Sequence, residues 1–177
     1  MKKVFLVLLM FAMVTTGCAK KEKDSVTYNL DKKEMITYNY NKVDYVLADI
    51  TEEDSEILTT GLFYKEGKKF VLIKKLESII KVDNKGNSAY KFYDGKLYGV
   101  GTGDLPLIYE IELNKGKSKL NELKFDVDGK KNPFLTLIID EIDGEKIILG
   151  GNIFIGEHSE YKVFECSLKS KKCLYDK

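Results

Sequence analysis

The residues able to do chemistry are few, and their spacing limits what they can do. His158 is the only histidine. It sits in Gly156-Glu157-His158-Ser159-Glu160, a polar stretch between strand-like runs, and reads as an exposed loop side chain. As a metal ligand it has no partners at ligand spacing, and as a general base it would need an oriented nucleophile. Asp126-Val127-Asp128-Gly129-Lys130-Lys131-Asn132 begins like a calcium loop. A third ligand before the glycine and a later Glu are both missing, so it reads as a plain turn. Asp140-Glu141-Ile142-Asp143 offers paired carboxylates of the kind used in acid–base catalysis. Strand alternation puts Glu141 and Asp143 on one face, expected to be the solvent face. Gly99-Val100-Gly101-Thr102-Gly103-Asp104 is glycine-rich and follows a strand. It leads into no helix and no Gly-Lys-Ser/Thr, so a connection or bulge is expected rather than a phosphate cradle. The sequence therefore predicts no catalytic residue, no metal ligand and no bound cofactor.

Cys166 and Cys173 are seven residues apart. A two-residue turn at Lys169-Ser170 would set them directly opposite each other across a hairpin, close enough for a disulfide. Two free thiols are the alternative. Tyrosine is more abundant: Tyr28, Tyr38, Tyr40, Tyr64, Tyr90, Tyr93, Tyr98 and Tyr109 recur on strand-like runs or at their ends. An apolar ring with a polar tip suits a binding face, and it suits a half-buried sheet position more often.

The elements that must position these residues are strands. Val26–Leu30 and Met35–Tyr40 flank the polar Asp31-Lys32-Lys33-Glu34, a hairpin pattern. Further short runs rich in Val, Ile, Phe and Tyr cover Tyr45–Ile50, Gly61–Tyr64, Phe70–Ile73, Ser78–Val82, Lys96–Val100, Leu107–Leu113, Phe134–Ile139, Lys146–Leu149 and Tyr161–Leu168. Glu66-Gly67, Asn84-Lys85-Gly86, Asp94-Gly95, Asn114-Lys115-Gly116, Asp128-Gly129 and Asp143-Gly144 supply the turns between them. No stretch of helical length keeps a 3.6-residue period with caps. The prediction is an all-β, antiparallel domain over 26–177.

The run Ile108-Tyr109-Glu110-Ile111-Glu112-Leu113-Asn114-Lys115-Gly116-Lys117 recurs in pattern at 79–86, at 163–172 and more loosely at 45–52. Acidic-Gly turns at Glu66-Gly67, Asp94-Gly95 and Asp143-Gly144 stand ahead of the clearer copies. This unit resembles a blade of bacterial β-propellers, in which successive strands form a meander. The resemblance implies a β-propeller-like meander, either partial or of about four degenerate blades. A β-sandwich is the other architecture the pattern allows.

Composition excludes one partner class. The 177 residues carry 29 bases, all of them Lys, against 28 acids, for a formal charge of +1 with both signs interleaved. A nucleic-acid binder would carry a basic face and the Arg forks that read phosphate and guanine.

The start of the chain is a different kind of segment. Lys2-Lys3 precede an unbroken apolar run, Val4–Val14, which is closed by Thr15-Thr16-Gly17-Cys18. The run is shorter than the roughly 20 residues a membrane-spanning helix needs. A charged start, an apolar centre and a small-residue end are the parts of a signal peptide. Gly17-Cys18 resembles the lipobox of bacterial lipoproteins, with Thr15 where the family prefers Leu. The resemblance implies removal of residues 1–17, a diacylglyceryl group on Cys18, and a charged tether over 18–25. Loss of Lys2 and Lys3 takes the formal charge from +1 to −1. Export permits oxidation, and with Cys18 carrying lipid, Cys166 and Cys173 remain as a pair.

The function expected from these features is that of a lipid-anchored envelope lipoprotein on the extracytoplasmic face of a membrane. Its domain would be a non-enzymatic binding module for an envelope protein or glycan. An extracytoplasmic hydrolase or lyase, or a truncated member of a larger propeller family, are the alternatives.

Overall fold

A computed structural model describes residues 30, 35–50, 59–77, 89–101, 106–116 and 118–175. The first sheet is a meander of β1 (Met35–Tyr40), β2 (Val43–Ile50), β3 (Thr59–Glu66) and β4 (Lys69–Glu77). The second repeats this plan with β5 (Tyr90–Tyr93), β6 (Lys96–Gly101), β7 (Leu107–Glu112) and β8 (Leu120–Leu123). The third contains β9 (Asp126–Val127), β10 (Lys130–Lys131), β11 (Phe134–Asp143), β12 (Lys146–Ile155), β13 (His158–Ser167) and β14 (Lys172–Tyr175). Its strand order is β10-β9-β14-β13-β12-β11. The domain is thus all-β and built from antiparallel meanders, compatible with a propeller-like or a sandwich arrangement. One pair departs from antiparallel: β14 runs parallel to β9, with Cys173 beside Val127. The chain enters the third sheet through β9 and returns beside it only after β11 to β13 are laid down.

Turn chemistry sets the hairpins. Asn41 and Lys42 join β1 to β2 with φ of 49° and 62°, the left-handed pair that matches strand twist. Asp94 and Gly95 do the same between β5 and β6, at 42° and 70°. A Cβ at Gly95 would run into the Tyr40 ring, so glycine here also lets the first sheet approach the second.

Several strands extend beyond their sequence-predicted limits. β11 reaches Asp143 because a bulge between Ile139 and Glu141 absorbs one residue. β12 runs on to Ile155, which pairs with His158, so the histidine opens β13 rather than lying in a free loop. The strands β5 and β8, four residues each, carry too little alternation to be legible. The predicted runs at Val26–Leu30 and Ser78–Val82 fall largely or wholly outside the described residues.

Of the segments similar in pattern, 79–86 lies outside the described residues, and the others do not all occupy equivalent strands. The segments at Ile108 and Val163 fall on β7 and β13, each the third strand of a consecutive antiparallel run of four, β5–β8 and β11–β14. Tyr45 lies on a second strand, β2. Likewise Asp94-Gly95 and Asp143-Gly144 follow β5 and β11, the first strands of those runs, whereas Glu66-Gly67 lies between β3 and β4.

One apolar core passes through all three sheets, including Leu47 and Leu62 of the first, Leu97 and Ile111 of the second, and Phe134, Leu149 and Phe164 of the third. Phe134 packs edge-on to Phe164 at 5.2 Å between ring centroids. A second cluster, Val46, Ala48, Ile50 and Phe63, lies on the first sheet's other face with Leu30, Met35, Phe70 and Leu72 against it. Both faces of β2 and β3 are therefore buried, which explains the unbroken apolar run at Val46-Leu47-Ala48. Two adjacent residues of β5, on opposite faces of the strand, tie the sheets together. Phe92 stacks on Tyr38 of the first sheet at 5.0 Å. The Tyr93 hydroxyl accepts the Gly144 N–H of the third at 2.7 Å.

Candidate functional site

Between the second and third sheets opens a cleft of about 350 Å³. Three hairpin ends form its rim: Asp94 of β5–β6, Gly144-Glu145 of β11–β12, and Leu168-Lys169 with Lys171 of β13–β14. Its floor comes from one face of the second sheet. Residues two apart on a strand share a face, so Lys96 and Tyr98 of β6 both point into the cleft. Tyr98 lies directly opposite Glu110 of β7. The Lys96 ammonium reaches diagonally to the Glu110 carboxylate at 3.1 Å.

The Tyr98 hydroxyl also donates to Glu110, so one carboxylate receives two donors. Burial, reinforced by the Glu110 charge, pushes the Tyr98 phenol up to about 12. It stays protonated throughout the physiological range.

Lys171 completes the group. Its ammonium stands 5.8 Å from the centre of the Phe125 ring, a cation–π distance. Burial holds it below the ordinary lysine value, Glu110 pulls it back up, and Lys96 pushes it further down. Its backbone is left-handed, with φ of 58°. Two hydrogen bonds fix that conformation: the Lys171 N–H donates to the Ser167 carbonyl at 2.9 Å, and the Lys171 carbonyl accepts the Asp126 N–H at 2.8 Å. Behind this turn, Cys166 and Cys173 face each other in register and are joined as a disulfide, with Cα atoms 4.0 Å apart. The register is the one the sequence implies, but the turn is not. Four residues, 168–171, make the connection, because Lys169-Ser170 lacks the Gly or Asn that a two-residue turn demands.

The other candidates lie apart from the cleft or at its edge. Cys18 and Tyr28 fall outside the described residues. His158 is exposed at the tip of β12–β13. In the Asp126–Asn132 stretch, Asp126 accepts the Gly129 N–H at 2.8 Å and Asp128 accepts the Tyr175 hydroxyl at 2.9 Å, as in a plain turn. Glu141 and Asp143 are both exposed. Gly99 serves packing: a Cβ there would lie 2.6 Å from the Tyr109 ring. Positions 102–104 of the glycine-rich run are outside the described residues. Among the described residues, no group of three or more His, Cys, Asp or Glu is placed to hold a metal ion.

Of the tyrosines, Tyr93 and Tyr98 enter the cleft, Tyr38 and Tyr40 join the first two sheets, and Tyr90 and Tyr109 are buried within the core. Tyr64 lies under the Lys115 ammonium at 6.0 Å.

Sequence reasoning missed Lys96, Glu110 and Lys171 as a group. The i, i+2 spacing of Lys96 and Tyr98 was legible, but Glu110 joins them only through the β6–β7 register and Lys171 only through sheet packing. A separate surface feature also emerges. The described large apolar side chains that stay exposed, Ile138, Phe154, Ile155, Tyr161, Val163 and Leu174, all belong to the third sheet.

No protein-family model matches the chain, and no curated protein and no solved structure shows significant similarity to it. The fold and the cleft define it as an all-β protein of stacked antiparallel meanders with a mixed-charge cleft between two of them.

Proposed function

We propose that this chain is a lipid-anchored lipoprotein of the bacterial envelope, displayed on the extracytoplasmic face of a membrane. Its all-β domain is a non-catalytic binding module for an envelope protein or glycan. The observation that carries the location is the segment Met1–Cys18: two lysines, an apolar run, and Gly17-Cys18 at its end. Two acyl chains on Cys18 would hold the protein stably, since burial of each CH₂ contributes about 0.8 kcal/mol and a single chain binds only reversibly. The cleft supports binding over catalysis. Glu110 is occupied by Lys96 and Tyr98, and Tyr98, raised by burial and by Glu110, holds its proton well above neutrality. Fractionation tests the anchor. The native chain is expected in the membrane fraction and Cys18→Ser in the soluble one; equal partition of both would refute the reading.

A second reading, an extracytoplasmic hydrolase or lyase, draws on one observation. Tyr98, raised by burial, and Lys171, lowered by burial, share a cleft with a carboxylate, as perturbed groups in active sites do. Turnover of envelope substrates that is lost in Glu110→Gln would favour it.

A further inference from the structure

We propose that the cleft between the second and third sheets binds a small organic carboxylate, gripped by the ammonium groups of Lys171 and Lys96. The inference rests on the reading of the domain as a binding module and names the ligand class that module takes.

Charge makes the first argument. Glu110 already receives the Lys96 ammonium at 3.1 Å and the Tyr98 hydroxyl, and it is largely shielded, with 16% of its side chain exposed. Lys171 brings a second cation toward the same carboxylate, and among the described residues it forms no ion pair. The other charges of the lining, Asp94, Glu145 and Lys169, are exposed at the rim, so at the floor, where part of the solvent is excluded, two cations share one anion and an added carboxylate would balance them.

Backbone geometry makes the second. Glycine fits a left-handed position without steric cost, whereas a side chain there is held at a cost and only by surrounding structure. Lys42 has the same conformation in an exposed turn. Lys171 differs because its turn is pinned on both sides by hydrogen bonds and its side chain is drawn inward over Phe125.

Donors and rim define the ligand further. The Tyr93 oxygen accepts the Gly144 N–H at 2.7 Å, which leaves its own proton to donate into the cleft. Exposed Asp94 and Glu145 at the rim repel a second negative charge. The site is therefore matched to one carboxylate on a neutral or cationic body, and dianions such as phosphate are disfavoured.

Lysine footprinting tests this on the full chain in detergent micelles. The rate at which an N-hydroxysuccinimide ester acylates each lysine is followed by peptide mass spectrometry. N-acetylglycinate is the probe, with inorganic phosphate and chloride at matched ionic strength as controls. At a probe concentration twice its Kd, acylation of Lys171 and Lys96 is expected to slow about threefold. Lys42, exposed in the β1–β2 turn and outside the cleft, should be unaffected. In Lys171→Gly, which removes the left-handed strain and is expected to melt no lower than the native chain, protection of Lys96 should vanish. Slowing of Lys171 and Lys96 no greater than that of Lys42, equal slowing by chloride, or Lys96 protection that persists in Lys171→Gly would each overturn the proposal. Membrane attachment through Cys18 is read on the same cells before detergent extraction, so failure of the anchor and failure of the anion site are told apart.

Discussion

Tyr98 is the residue whose surroundings most change its chemistry, and the consequence is a pH dependence of known sign. Its folded pKa is raised from 10.0 to about 12 by burial first and by Glu110 second. A phenol raised in this way stabilises the fold fully below the unfolded pKa, and that contribution is lost as pH climbs through the folded one. Tyr109, raised by burial and by Tyr90, acts in the same direction. The denaturant midpoint should therefore fall between about pH 10 and pH 12, and the fall should be shallower, though not absent, in Tyr98→Phe. A midpoint equally pH-dependent in both proteins would contradict the assignment. Little of this was visible in the chain. A tyrosine on a strand reads the same whether it faces solvent, core or a carboxylate. Glu110 is 12 residues from Tyr98 in sequence and meets it only through strand register.

At the scale of the element, the β13–β14 hairpin is the most informative. Its register was legible because two cysteines equidistant from a polar turn can pair in only one way. Its turn was not, because the left-handed conformation falls on a lysine instead of on the glycine or asparagine that usually marks it. The disulfide closes a short loop, so the chain-entropy argument gives about 2 kcal/mol of stability. Reduction, or the double change Cys166→Ser with Cys173→Ser, should lower unfolding free energy by about that amount, measured by urea titration. The β6–β7 pair offers a second test. A Cβ at Gly99 would sit 2.6 Å from the Tyr109 ring. Gly99→Ala must displace a buried aromatic, and a loss of about 1–3 kcal/mol is expected by the same titration. Sequence marked this glycine as part of a flexible connection. Its packing role depends on the ring opposite, which the β6–β7 pairing alone reveals.

For the whole molecule, the alternation of apolar residues and the acidic-Gly turns were enough to yield an all-β antiparallel chain. The similar segments at Ile108 and Val163 fall on β7 and β13, whereas Tyr45 falls on β2. The first sheet was mis-phased because its β1–β2 turn uses Asn41-Lys42 in place of the acidic-Gly pair found in the others. Contacts between sheets could not be read, since they rest on pairs such as Tyr38 with Phe92 that are distant in sequence. A core shared by all three sheets predicts that the domain unfolds in one step by circular dichroism and by calorimetry. Leu149→Ala, at a position with no exposure, should cost about 2–5 kcal/mol of that single transition. Leu174→Lys, at 76% exposure, should change it by no more than about 0.5 kcal/mol. Two separate transitions would mean that the sheets do not share one core.

Lipid attachment at Cys18 is read from the mass of the mature N-terminal peptide recovered from membranes. A peptide that begins at Cys18 and carries a diacylglyceryl group is expected. A peptide that retains residues 1–17, or one with an unmodified Cys18, would contradict it.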